Sequence, residues 1–280
     1  SFFDFGKRGL ERAEKIIEEL AKRNLDIRAS YHLRAEQIND DTINLIEKAR
    51  INGLNYINVG IESINDNDLK YFRKIATAQD NRNAIRLLQS REMRFSIGFI
   101  NFYPYTCIEN IERNLSFLYE INFLKNINKF LTVMELFPGS DAYQKLHIDG
   151  LVSSYRYDKG IQIPKFQNED IQILFNNLQL VQTNKKQYML DSALTCLISD
   201  IEVHKEDSLS IQRYITQTDV IYQKYNELNY NFLKQCIQFV KEKKWGELQL
   251  KCTEYSTAEF DQEVKKLYFK VKLLHTKLLG

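Results

Sequence analysis

The stretch from Tyr56 to Lys74 limits the fold more tightly than any other part of the chain. Ile57, Val59 and Ile61 alternate with Tyr56, Asn58, Gly60 and Glu62. A period of two is the signature of a β-strand, and the residues after Glu62 read as a helix. A strand in a parallel sheet covered by helices is usually apolar on both faces. Here one face carries an amide, a glycine and a carboxylate. That face is expected to look into a polar lumen and not into a packed core.

The first half of the chain repeats this design. Strand-like segments start near residues 27, 56, 95 and 130. The first alternates Ile27, Ala29, Tyr31 and Leu33 with Arg28, Ser30, His32 and Arg34. Each interval holds at least one helical pattern: 9–24, 39–53, 66–76 with 79–91, and a helix after Thr106. Thr106 and Glu109 have capping-box spacing. Strands alternating with helices are the rhythm of βαβ units. With a strand stub at residues 1–5, the reading is four to five parallel strands, as part of a barrel or as an open doubly wound sheet. No G-x-G-x-x-G follows a strand and no G-x4-G-K-[ST] occurs, so dinucleotide and P-loop sites have little support.

The second half differs. All three prolines and eight of the ten glycines lie in the first 164 residues, leaving the rest nearly free of helix breakers. The expected division is therefore 1–163 and 164–280. A short capped helix is predicted at 140–150. Long helices are predicted at 168–200, 206–244 (with a candidate break near 229) and 256–278, packed as a bundle with Tyr214, Tyr222, Tyr225, Tyr230, Phe232 and Phe239 in its core. The charge run Lys241–Lys244 reads as a solvated helix face.

A net charge of +2 gives no electrostatic case for nucleic acid or an anionic membrane. No apolar run approaches the roughly 20 residues of a membrane span. Cys107, Cys196, Cys236 and Cys252 are too widely separated for a C-x2-C or C-x3-C site, and read as reduced thiols of a cytoplasmic protein. Cys107 fits a small apolar residue beneath a helix cap.

In barrels and open α/β sheets, ligands bind at the carboxyl ends of the strands. His32, Arg34, Glu62, Ser63, Asn101 and Glu135 fall there. Several hydrogen-bonding residues on alternating strand faces point to a shared small-molecule cleft.

Five segments in order resemble radical S-adenosylmethionine enzymes of the branch that often carries a cobalamin-binding domain. They are Gly6–Ala13; His32–Ala35 with Gln37–Thr42; Val59-Gly-Ile-Glu-Ser63; Gly98–Thr106; and Leu136-Phe-Pro-Gly-Ser140 with Lys145–Leu151. The resemblance covers about residues 1–160. It implies a partial (β/α) TIM-like barrel of parallel strands, of which this chain holds the later units, followed by an all-α C-terminal helical region. It assigns cofactor contacts to Glu62, Ser63, Arg34, Lys74 (with Arg73 beside it) and Asn101. A carboxylate can bind the cofactor's amine or ribose, and a basic residue its carboxylate.

The C-x3-C-x2-C motif that holds the family's [4Fe–4S] cluster is absent. The resemblance therefore implies a parent enzyme that uses S-adenosylmethionine and [4Fe–4S], with cobalamin left open. The chain alone is expected to bind no cofactor and to be inactive. In the family, the cluster reduces S-adenosylmethionine and the resulting radical abstracts hydrogen from the substrate. The alternative is a non-catalytic, degenerate barrel with a helical protein-interaction domain. The expected partners are a small molecule or a peptide, and an incomplete barrel is expected to dimerise through its open edges or to cover them with the helical region.

Overall fold

The computed structural model describes residues 2–3, 6–23, 25, 27–153, 162–182, 209–257 and 259–279. Residues 1–100 form one compact unit and residues 101–280 a second.

The first unit runs α1 (Lys7–Arg23), β1 (Ser30–Arg34), a 3-10 turn (Ala35–Gln37), α2 (Ile43–Ile51), β2 (Tyr56–Glu62), α3 (Asp66–Tyr71), α4 (Ala78–Ser90) and β3 (Phe95–Phe99). The strands form a parallel sheet in the order β1-β2-β3. Tyr31, Leu33, Ile57, Val59, Ile61, Ile97 and Phe99 bury one face of it. Ala13 and Ile17 of α1, Ile46 and Ala49 of α2, and Ala84, Ile85 and Leu88 of α4 complete the core. The residues between, including His32, Asn58, Gly60 and Ser96, keep their other face at least partly open. The polar alternation of Tyr56–Glu62 thus marks an accessible sheet face.

Two expected strands are corrected. Phe2 and Phe3 form a turn, with the Phe2 amide donating to the His32 carbonyl at 2.9 Å; residues 1, 4 and 5 lie outside the described residues. The segment 130–136 makes a single parallel bridge, Phe102 to Val133, and no strand. Thr132 O accepts from Asn101 N and Phe102 N, and Met134 N donates to Phe102 O. The ladder cannot go on because Pro104 has no N–H and Tyr103–Thr106 turns away, with Thr106 N bonded to Tyr103 O. Among the described residues the sheet therefore has three strands, not the four or five expected.

The second unit holds α5 (Ile108–Glu120), a 3-10 turn (Ile127–Lys129), α6 (Asp141–Ile148), α7 (Glu169–Gln182), α8 (Leu209–Lys241), α9 (Trp245–Thr257) and α10 (Glu259–Leu279). Phe102, Phe130, Phe166 and Phe175 form one aromatic cluster, with Phe102 and Phe175 centroids 5.1 Å apart. Helix α9 packs on α7, α8 and α10, and α8 packs on α5. Two buried asparagines of α8 hold the loop after α5. Asn226 accepts from Leu124 N at 2.8 Å and donates to Tyr119 O at 3.0 Å. Asn229 donates to Leu124 O at 2.5 Å and accepts from the Tyr255 hydroxyl. The segment 101–163 accordingly clusters with the helical region. The change in glycine and proline frequency near 164 falls inside the second unit.

The expected helix 168–200 is α7; residues 183–208, and Cys196 with them, lie outside the described residues. Helix α8 is continuous through Asn229, and the expected 206–244 helix stops at Lys241. Lys243 has φ +57, Lys243 N bonds Val240 O, and Lys244 N bonds Phe239 O. This is the Schellman closure, here without the usual glycine. Arg73, Glu92 and Asn122 end α3, α4 and α5 in the same way, at φ 54, 49 and 60. The 241–244 run is thus a helix break, and Lys241 pairs with Glu112 and Lys243 with Asp170. Tyr222, Tyr225 and Phe232 are buried as expected, Tyr230 and Phe239 are only half-buried, and the side chain of Tyr214 lies outside the described residues. No described helix is long and apolar enough to cross a membrane.

Candidate functional site

The open face of the sheet is built in rows by strand register. His32, Asn58 and Ser96 are partners in one row; Arg34, Gly60 and Gly98 are partners in the next. In the first row Ser96 Oγ donates to Asn58 Oδ1 at 2.6 Å. In the second, two adjacent strands present only hydrogen, which leaves a shallow floor.

Glu62 closes over that floor. A methyl group on Gly60 would lie 3.2 Å from Glu62 Oε1 and 3.5 Å from Lys74 Nζ, and one on Gly98 would lie 3.7 Å from Glu62 Oε2. Lys74 Nζ donates to Glu62 Oε1 at 2.9 Å, with both side chains part-buried. The carboxylate thus sits above two glycines at the carboxyl end of the middle strand, where parallel sheets place ligands.

The backbone bends sharply to put it there. The β2–β3 register slips between Gly60 and Glu62, so that Ile61 is an extra residue, the definition of a bulge. Glu62 has φ +62, and Ser63 N donates back to Ile61 O at 2.8 Å. A bond from residue i+2 to residue i around a positive φ is a γ-turn of the rare, strained hand. Holding a residue with a side chain in such a conformation costs about 1–3 kcal/mol. Ile61 keeps its side chain fully buried while Glu62 turns back over the glycines.

The remaining expected site residues divide between the two units. Arg34 is half-buried beside Gly60, and its amide donates to Gln37 Oε1 at 3.0 Å. Gln37 in turn donates to Phe3 O at 2.9 Å. Arg73 is exposed at the end of α3. Ser63 is fully buried: Ser63 Oγ donates to Asp68 Oδ2 at 2.8 Å and accepts from Asn65 N at 3.1 Å. Its hydroxyl ties the strand end to the first turn of α3 and does not open onto the sheet face. Asn101 belongs to the second unit and is also fully buried. Its amide donates to Phe130 O at 3.1 Å and accepts from Asn114 at 3.0 Å. Both ends of Asn101 are thus committed to the interior. Glu135 is exposed, also in the second unit.

Cys107 occupies the N-cap of α5, which starts at Ile108. The helix begins one residue too late for the expected Thr106–Glu109 capping box. Burial pushes the Cys107 thiol up, against the opposing pull of the Asn110 amide, as suits a small apolar residue beneath a helix start.

One residue escaped the sequence reading. Asn81 of α4 is fully buried and donates to Ile61 O at 2.9 Å and to Ser63 O at 2.7 Å. Those carbonyls flank Glu62. A signal was present: Asn81, Ala84, Ile85 and Leu88 form the buried stripe of α4, and an amide on such a stripe needs a partner.

Among the described residues no three His, Cys, Asp or Glu side chains come together as a metal site. The described cysteines therefore do not fit an iron–sulfur cluster. The glycine floor lies under a part-buried carboxylate–ammonium pair, Glu62 with Lys74, beside Arg34 in the register.

No family model matches the sequence, and no curated protein matches it. Solved structures do. The cobalamin-dependent S-adenosylmethionine radical enzyme OxsB, with aqua-cobalamin and S-adenosylmethionine bound, aligns at TM-score 0.61 and 16% identity over 97% of this chain and 44% of its own. OxsB with aqua-cobalamin alone aligns at TM-score 0.61 and 16% identity, over 97% of this chain and 45% of its own. The apo, selenomethionine-labelled form aligns at TM-score 0.58 and 17% identity, over 97% and 44%. At this identity the likeness is one of fold, and the chain spans less than half the length of these neighbours.

Proposed function

We propose that this chain supplies the later units of a partial (β/α) barrel, with its helical region, to a radical S-adenosylmethionine enzyme. In this reading it holds part of the cofactor and substrate cleft, and the cluster thiolates come from outside these residues. The observation that carries the reading is Glu62. Its carboxylate is placed over a glycine floor by a strained turn at the carboxyl end of the sheet. Backbone strain of this kind concentrates at functional sites. The likeness to OxsB, which is solved with S-adenosylmethionine bound, supports the choice of ligand.

When bound, S-adenosylmethionine supplies the radical chemistry of such enzymes. The chain's own residues would bind and orient it. Glu62 accepts hydrogen bonds from the amine or the ribose hydroxyls. Lys74, held 2.9 Å from Glu62, is a mobile point charge that can turn to the ligand's carboxylate. Arg34, beside Gly60 in the register, offers a forked donor for the same group. The Gly60–Gly98 pair leaves room for the Glu62 carboxylate and the Lys74 ammonium to lie close over the sheet. Ser63 and Asn101 serve by fixing backbone, through Asp68 and Phe130 O respectively. Nothing on this chain is assigned to cobalamin.

Equilibrium binding of S-adenosylmethionine and S-adenosylhomocysteine to the full-length protein tests the reading. Glu62→Gln, which removes a charge-assisted hydrogen bond, is expected to weaken both by about tenfold or more. Unchanged affinity in Glu62→Gln and in Lys74→Met would overturn it.

A further inference from the structure

We propose that Asn81 is the positioning residue that sets the Glu62 carboxylate, by clamping the backbone on both sides of it. Three consecutive carbonyls at the end of β2 are held. Ile61 O and Ser63 O accept the two amide hydrogens of Asn81, at 2.9 and 2.7 Å, and Glu62 O accepts Ile100 N at 2.7 Å. Ile61 O also accepts Ser63 N. The peptide units on either side of Glu62 are therefore fixed in the one orientation that gives a left-handed residue between them. A single planar NH2 group, two hydrogens in a fixed fork, matches two carbonyls turned toward the same helix.

Asn81 Oδ1 is buried with no hydrogen-bond partner among the described residues, whereas both of its amide hydrogens are used. The side chain serves its donors alone. Which end is nitrogen follows from the two carbonyls, which only the NH2 can satisfy. A leucine, with the same branched four-atom side chain, would extend the Ala84, Ile85, Leu88 stripe. The asparagine is thus a local conflict with core packing, resolved in favour of the turn. Such conflicts collect where function sets the backbone.

The part of this inference that concerns a ligand rests on the reading of Glu62 given above; the part that concerns the turn does not. The test separates them. Glu62→Gly and Glu62→Ala both delete the carboxylate and differ in tolerance of a positive φ. With Asn81 in place, the glycine variant is expected to be more stable than the alanine variant, by several-fold in the folding equilibrium constant. In an Asn81→Leu background, residue 62 relaxes toward extended backbone and the order is expected to reverse. A purely structural loss at position 81 would lower both variants alike and leave the order unchanged, which would overturn the proposal. Asn81→Ser repeats the comparison if the leucine variant does not fold. In the unmutated protein, scalar couplings across hydrogen bonds from Asn81 Nδ2 to the Ile61 and Ser63 carbonyl carbons are expected; their absence would overturn the clamp without any variant. S-adenosylhomocysteine affinity in full-length Asn81→Leu is expected to fall with the order reversal. A reversed order with unchanged affinity would keep the clamp and defeat its ligand role.

Discussion

Replacing Glu62 by glycine and, separately, by alanine turns an unusual backbone angle into a measurement of sign. Both variants lose the carboxylate and its 2.9 Å bond to Lys74, so that loss cancels in the comparison. What remains is the conformation, φ +62. A residue with a Cβ in the left-handed region costs about 1–2 kcal/mol, a penalty glycine does not incur. Glycine returns about 0.4–1 kcal/mol of this through the greater freedom of its unfolded chain. The glycine variant should therefore be the more stable, by about 0.8 kcal/mol at the middle of both ranges and by up to about 1.6 kcal/mol. With a urea dependence of about 1–3 kcal/mol per molar, a difference of about 0.8 kcal/mol places its midpoint about 0.3–0.8 M higher. At an ordinary strand position the sign is opposite, with alanine ahead by about 0.5–1 kcal/mol. Urea unfolding followed by circular dichroism decides the matter. Alanine ahead of glycine, as at an ordinary strand position, would mean that residue 62 is not left-handed and that Glu62 carries no backbone strain to link to function.

Two further outcomes follow from the second unit. Asn226→Ala leaves Leu124 N and Tyr119 O without their partner, and should destabilise the protein by about 2–4 kcal/mol by urea unfolding, since a stranded buried backbone group costs about 1–3 kcal/mol. Glu109, in the first turn of α5, has its carboxyl lowered by its own backbone amide first and by the Cys107 side chain second. A lowered carboxyl stabilises the fold above its unfolded pKa, and that contribution is lost as pH falls through the lower folded value. Glu109→Gln should therefore cost about 0.3–1 kcal/mol at pH 7, with the gap to wild type closing below the ordinary carboxylate range; a gap that persists at the lowest pH would exclude this origin.

The sequence by itself determined the parallel β/α pattern of residues 27–99, because alternation and helical stripes report burial directly. It marked the polar face of Tyr56–Glu62 and put Glu62 at the strand end. It also showed the absence of a cluster motif and the helical character of the C-terminal part. Tertiary structure decided the rest. The bulge at Ile61 depends on β3, whose register slips opposite it. The strained turn depends on an amide 19 residues downstream of Glu62, on α4. Whether Ser63 and Asn101 face a ligand or the interior depended on Asp68, Asn114 and Phe130, which strand alternation does not place. The break after Lys241 escaped because a left-handed helix end needs no glycine when the following amides can close it. Asn81, Asn114, Asn226 and Asn229 all lie buried on helices and all bond irregular backbone or the side chain that holds it. Their positions are legible as polar interruptions of apolar stripes. Their partners are not, because a hydrogen bond across 13 to 107 residues is set by packing and leaves no local pattern.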